Sequence, residues 1–272
     1  MTEETWQRVI SFEHLLTQVC LTESQELHVQ LECLSSIIRL VNCPGISPFL
    51  KASEALCSGR VSIDFVDLVR RKVSNTIGPN ARYSDSLETG WLNVVQSVFR
   101  VSARHFAIAC IEVIQRDTFG WLAVFPTSRL ERRKLPKPEG HREIALRTWE
   151  GVWADSKKIS SWAGSYNHVR SEARQRVTEV VEASVSREWI PHLRCIVGNP
   201  FRPVGFAPSW RSETAVALAA GIYAERAFDR LPILADALEE AGCDNADVLS
   251  HCRGPGPHAR GCWVVDGVLG KV

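Results

Sequence analysis

The chain has 272 residues, of which 45% are hydrophobic and 23% charged, with a net charge of +1. That is enough chain for one large core or two smaller ones, and it excludes disordered, collagen-like and supercharged classes. Near-neutrality gives no global attraction to nucleic acid or anionic lipid, although the first thirty residues lean acidic. Nine cysteines are present, an odd number without any CxxC pair, which reads as free thiols in a reducing compartment rather than a secreted disulfide framework. The opening MTEETWQRVI lacks the basic and apolar regions of a signal peptide, and the longest apolar run, from Ala215 to Ala224, is about half a membrane span. A cytoplasmic protein not embedded in a membrane is expected.

Helical signals recur along the chain. Thr22, Glu23, Ser24 and Gln25 form a T-x-x-Q capping box, followed by Leu27, Leu31, Leu34 and Ile38 at spacings of three or four. Asn42, Pro44, Gly45 and Pro48 stop that helix. Further helices are expected from Phe49 to Cys57, from Ser62, from Ser74 to Arg82, and from about Ser86 to Arg116 with a break near Ser102. Phe119 to Phe125 reads as a buried turn or a strand. The stretch from Thr127 to Arg147 contains Pro136, Pro138 and Gly140 among basic residues, and marks a linker or exposed loop. Helix returns from about Ile144 to Lys158 and from Val169 to Trp189. The two prolines of Gly198 to Pro203 exclude helix there. Ser212 caps a helix from Glu213 to Ala227. Leu231 to Ala241 follows, with Pro232 in its first turn and Gly242 just past its end. Asp244 or Asn245 caps a short helix ending near Cys252. After the Gly254-Pro255-Gly256-Pro257 break, His258 to Leu269 again shows helical spacing.

From Asn199 the chain reads NPFRPVGFAPSW, then RLPILADALEEAGC, then HCRGPGPHARGCWVVD. This stretch closely resembles the C-terminal module of an uncharacterised family of paralogous proteins expanded in planctomycete bacteria. Trp6, the region from Cys33 to Arg39, and the stretch SEALCSGRVSIDFVDLVRR resemble the same family more weakly. Leu231 to Gly242 is also similar to the LVYADWLEERGD signature of a repeat-companion domain. The resemblance implies bacterial origin and helical architecture, and it implies no reaction.

The densest group of reactive side chains is Cys243, His251, Cys252, His258 and Cys262. Zinc takes four thiolate or imidazole ligands in a tetrahedron, so Cys243, His251, His258 and Cys262 are the candidate metal set, with a structural zinc as the one candidate cofactor. His258 and Cys262 are four apart and would share a helix face. Against the set, a helix of about seven residues separates Cys243 from His251, placing their Cα atoms roughly 10 Å apart. The rival and commoner outcome is that the cysteines fill the core and the histidines bond to local backbone.

Other signals are weaker. The basic run Arg129, Arg132, Arg133, Lys134, Lys137, Arg142 and Arg147 could meet phosphates but lacks interleaved aromatics for stacking on bases. Trp149, Trp153, Trp162 and Trp189 read first as core. No nucleophile elbow, phosphate loop, dinucleotide fingerprint or H-E-x-x-H is present. The expected architecture is an all-α bundle of about eight to ten helices: an N-terminal helical domain over 1–128, a basic linker over 129–144 and a C-terminal helical module over 145–272. The leading functional expectation is a non-catalytic protein-interaction or scaffold module with a protein partner. Alternatives are a small zinc-stabilised nucleic-acid-binding protein and an enzyme of unknown type.

Overall fold

The computed structural model describes residues 2–8, 11–41, 46–57, 60–77, 93–97, 102–124, 140–156 and 165–271. Among them are thirteen α-helices and no strand, so the fold is all-α with more helices than the eight to ten expected. In chain order these are α1 (Glu3–Arg8), α2 (Phe12–Gln18), α3 (Glu23–Val41), α4 (Ser47–Cys57), α5 (Ile63–Ile77), α6 (93–97), α7 (Ala103–Val124), α8 (Gly140–Ser156), α9 (Ser165–Val197), α10 (Glu213–Glu225), α11 (Leu231–Glu240), α12 (Ala246–Arg253) and α13 (Trp263–Leu269). No described helix is long and apolar enough to cross a membrane.

Local chemistry sets many of the ends. At α3 the capping box closes in both directions: the Thr22 backbone N–H donates to Gln25 Oε1 at 3.0 Å, and Gln25 N–H donates to Thr22 Oγ1 at 3.3 Å. Ser212 accepts from Ala215 N–H, and Asn245 accepts from Asp247 and Val248 N–H, as their positions require. Other ends are satisfied by distant residues. Glu26 of α3 accepts from Ala103 N–H at 2.8 Å and so caps α7 across 77 residues. Arg194 of α9 donates to the carbonyls of Trp6 and Gln7, closing the end of α1.

Several expected boundaries move. The Phe119–Phe125 segment is no turn or strand where it is described: α7 continues through Val124, with Phe119 and Leu122 packed on the core. Helix α8 begins at Gly140, inside the span expected as linker. Arg142 grips Asp117 of α7 with two nitrogens at 2.8–3.0 Å, which draws its first turn onto the neighbouring helix. The rest of that basic run, Arg129 to Lys137, and Trp162 lie outside the described residues. Helix α9 runs past the expected end at Trp189, through Pro191, to Val197. Proline removes one ladder bond, but Trp189, Ile190, Leu193 and Ile196 are all buried on either side, and that apolar packing outweighs it. The last helix starts at Trp263 rather than His258, because residues 254–262 form an irregular loop.

Among the described residues two main hydrophobic cores result, with a small third cluster of Val152, Val169 and Ala173 between α8 and α9. The larger joins α1–α9, from Trp6 through Phe106 and Val177 to Ile196, so it runs across the division expected at 129–144. The smaller gathers Ala219, Ile222, Leu234, Leu238, Val248, Val264 and Val268 from α10–α13. Helix α9 is the shared spine: most of its length serves the first core, and its Cys195 belongs to the second.

Candidate metal centre

Three elements converge where the two cores meet. The last turn of α9 presents Cys195, α12 presents His251, and the 254–262 loop presents His258 and Cys262. One ligand atom from each of the four lies within 4.8 Å of every other. Cys195 Sγ is 3.7 Å from His251 Nε2 and 3.7 Å from His258 Nδ1, while His251 Nε2 is 3.2 Å from Cys262 Sγ. A tetrahedral zinc with ordinary bond lengths of about 2.3 Å to sulfur and 2.0–2.1 Å to nitrogen separates sulfur and nitrogen ligands by about 3.5 Å. The sulfur–nitrogen separations therefore fit a Cys2His2 zinc set.

The surroundings favour the same use. Both sulfurs are buried, and the two histidines are half-buried. Burial alone would push the Cys262 thiol up, but contacts with Cys195, His251 and His258 outweigh it and hold Cys262 well below its ordinary value. Cys195 is driven the other way, first by its contact with Cys262 and then by burial. The contact between the two thiols thus drives them apart, Cys262 down and Cys195 up. Ala259 N–H donates to Cys195 Sγ at 3.4 Å, the kind of outer contact that orients a thiolate ligand. The His251 and His258 rings stand edge to face at 4.9 Å, and Trp263 packs 5.4 Å from His251. A surface groove lined by Trp6, Arg194, Asp247 and Ser250 borders His251 of the cluster.

Of the four residues nominated from sequence, the structure brings together His251, His258 and Cys262, and leaves Cys243 out. Cys243 closes the end of α11. Its N–H donates to Leu238 carbonyl while Gly242 N–H donates to Glu239 carbonyl, which is a Schellman motif with Gly242 at φ +87°. An apolar residue at this position commonly accompanies that motif, and Cys243 packs in the smaller core. Cys252 is likewise buried there, and burial pushes its thiol up. His258 and Cys262 do not share a helix face, because His258 sits in the loop and Cys262 is the residue before α13. The fourth ligand, Cys195, lies 56 residues before His251 and carries no local spacing signal.

The other nominated features are structural. Trp189 is buried edge to face with Phe12 at 5.2 Å, and Trp149 packs on Trp153 at 6.2 Å. Arg142 is held by Asp117, and Arg147 donates to Glu143 at 2.5 Å, so neither is a free cation for phosphate. Comparisons with family models, curated proteins and solved structures give no match for this chain.

Proposed function

We propose that the chain is a non-catalytic helical scaffold in which a structural zinc, held by Cys195, His251, His258 and Cys262, clamps the C-terminal helices onto the long helix α9. The convergence of four soft ligands from three separate segments carries this reading. Buried filler cysteines have no reason to meet two imidazole nitrogens at these separations. A four-ligand set leaves no open position for a substrate, which favours a structural role over a catalytic one. Ile63, Phe65 and Leu68 of α5 are each nearly half exposed, an apolar surface suited to a protein partner. The resemblance of residues 199–272 to a module shared among paralogues supports an interaction role as well.

Elemental mass spectrometry on protein purified without a histidine tag tests the reading. The expected content is about one zinc per chain, lost in Cys195→Ser and Cys262→Ser and retained in Cys243→Ser. Metal-free protein, or equal zinc in Cys195→Ser and the parent, would remove the clamp.

A further inference from the structure

Beside the metal centre, between residues 196–206, the start of α3 and helix α13, lies a cleft of about 200 Å³. Its walls are largely apolar, formed by Ile196, Pro200, Val204, Phe206 and Trp263. They are also fixed in place. A Cβ on Gly267 would stand 2.1 Å from the Phe206 ring, so the ring lies directly on the α13 backbone, and Phe206 meets Trp263 edge to face at 6.0 Å.

Three charged side chains line this cleft; Arg202 is paired with Glu3, while the opposite charges of Asp266 and Lys271 form no ion pair with one another. Asp266 is only 8% exposed, and its Oδ1 has no hydrogen-bond partner. A buried carboxylate oxygen without a donor is costly, and native structures rarely keep one without use. Lys271, at the cleft's edge, places Nζ 3.3 Å from the centre of the Tyr223 ring. No ion pair joins it to Asp266 among the described residues. An occupant that answers both groups carries an ammonium and a carboxylate, and brings no net charge into an apolar site. The cavity is smaller than the roughly 300–1,000 Å³ of sites for drug-sized ligands, which excludes nucleotides and large cofactors.

We propose that this cleft binds a free α-amino acid with an apolar side chain. The ammonium group donates to Asp266, the carboxylate faces Lys271, and the side chain lies against Trp263 and Phe206. The site stands on Asp266 and the cleft walls, and it goes beyond the metal clamp rather than depending on it.

Isothermal titration of the full chain with L-phenylalanine and L-leucine tests the proposal, with phenethylamine and 3-phenylpropanoate as analogues lacking one charge each. At least one amino acid should bind saturably, and each analogue should bind at least about tenfold more weakly than L-phenylalanine if that is the better ligand. Asp266→Asn should lose about tenfold for the amino acid while leaving 3-phenylpropanoate unchanged, and Lys271→Met should do the converse with phenethylamine. Circular dichroism and zinc content measured on the same samples show that the variants fold and keep the metal centre. Absence of heat with both amino acids, or unchanged affinity in Asp266→Asn, overturns the site. Neither result bears on zinc, which Cys262→Ser reports separately.

Discussion

The two main cores of this protein are built on different physical terms. The larger one is framed by α3, α7 and α9, of 19, 22 and 33 residues, whose continuous apolar faces bury Leu34, Phe106, Val177 and Trp189. Long helices with such faces stabilise one another by burial alone. The smaller core is framed by helices of 13, 10, 8 and 7 residues. Helices that short are marginal by themselves, and a unit of this size buries too little apolar surface to be secure without a staple. Four of its buried residues are cysteines, and two of those, Cys195 and Cys262, belong to the candidate metal-ligand cluster. With the proposed zinc in place, the small unit would use coordination chemistry where the large one uses area.

The largest test of that contrast is metal removal. Chelation, or Cys262→Ser, should lower the melting temperature and cost several kcal/mol, since metal binding to such a site is folding free energy. The loss should be uneven: hydrogen exchange should accelerate at Leu234 and Val248 and stay slow at Phe106 and Val177. Equal acceleration in both groups would show one cooperative core rather than two. The converse perturbation is Trp189→Ala, which should cost about 3–5 kcal/mol by emptying the larger core while leaving zinc content unchanged.

A third effect is pH dependent. Burial, with a further contribution from Cys262, raises the Asp266 carboxyl to about 6 from an ordinary 3.8, against the opposing pull of Lys271. The native state therefore holds a proton between about pH 4 and 6 that the unfolded chain has released, and stability falls as pH rises through that window. Asp266→Asn should remove this loss, raising stability at pH 8 by up to about 3 kcal/mol relative to its effect at pH 4, as read from urea unfolding at the two pH values. A variant with the same relative stability at both would show that Asp266 ionises freely. The smallest effect expected is at the cap that Glu26 supplies to α7. Glu26→Ala should cost about 1 kcal/mol and be confined to the larger core, visible as a lower urea midpoint with zinc retained.

Much of the local architecture was legible from residue order. The capping box at Thr22 and Gln25, the caps at Ser212 and Asn245 and the glycine at 242 all act where the sequence places them, because a cap involves residues within about three positions of one another. The longer helices run past their expected ends: in α9 Pro191 does not end a helix whose flanking Trp189, Ile190 and Leu193 are buried, and α7 keeps packing on the core through Phe119 and Leu122. Three of the four metal-centre residues came from their density in the C-terminal segment. Cys243 was drawn in by the same proximity, although the Schellman turn at the end of α11 holds it in the smaller core. Cys195 was missed because nothing within its own helix distinguishes it from a filler cysteine.

What the amino-acid order determined by itself is therefore the all-α class, the helix starts with side-chain caps, and the enrichment of soft ligands near the C-terminus. These are short-range matters, set by hydrogen bonds and periodicity within one or two turns. What only the tertiary structure decided is which four ligands meet, where α9 ends and which carboxylate is left without a donor. Those depend on the close approach of the 254–262 loop to α9 and α3. At Gly261, for example, φ is +85° and a Cβ would stand 2.6 Å from the His28 ring. A contact between residues 233 positions apart is a product of packing, and no local pattern encodes it.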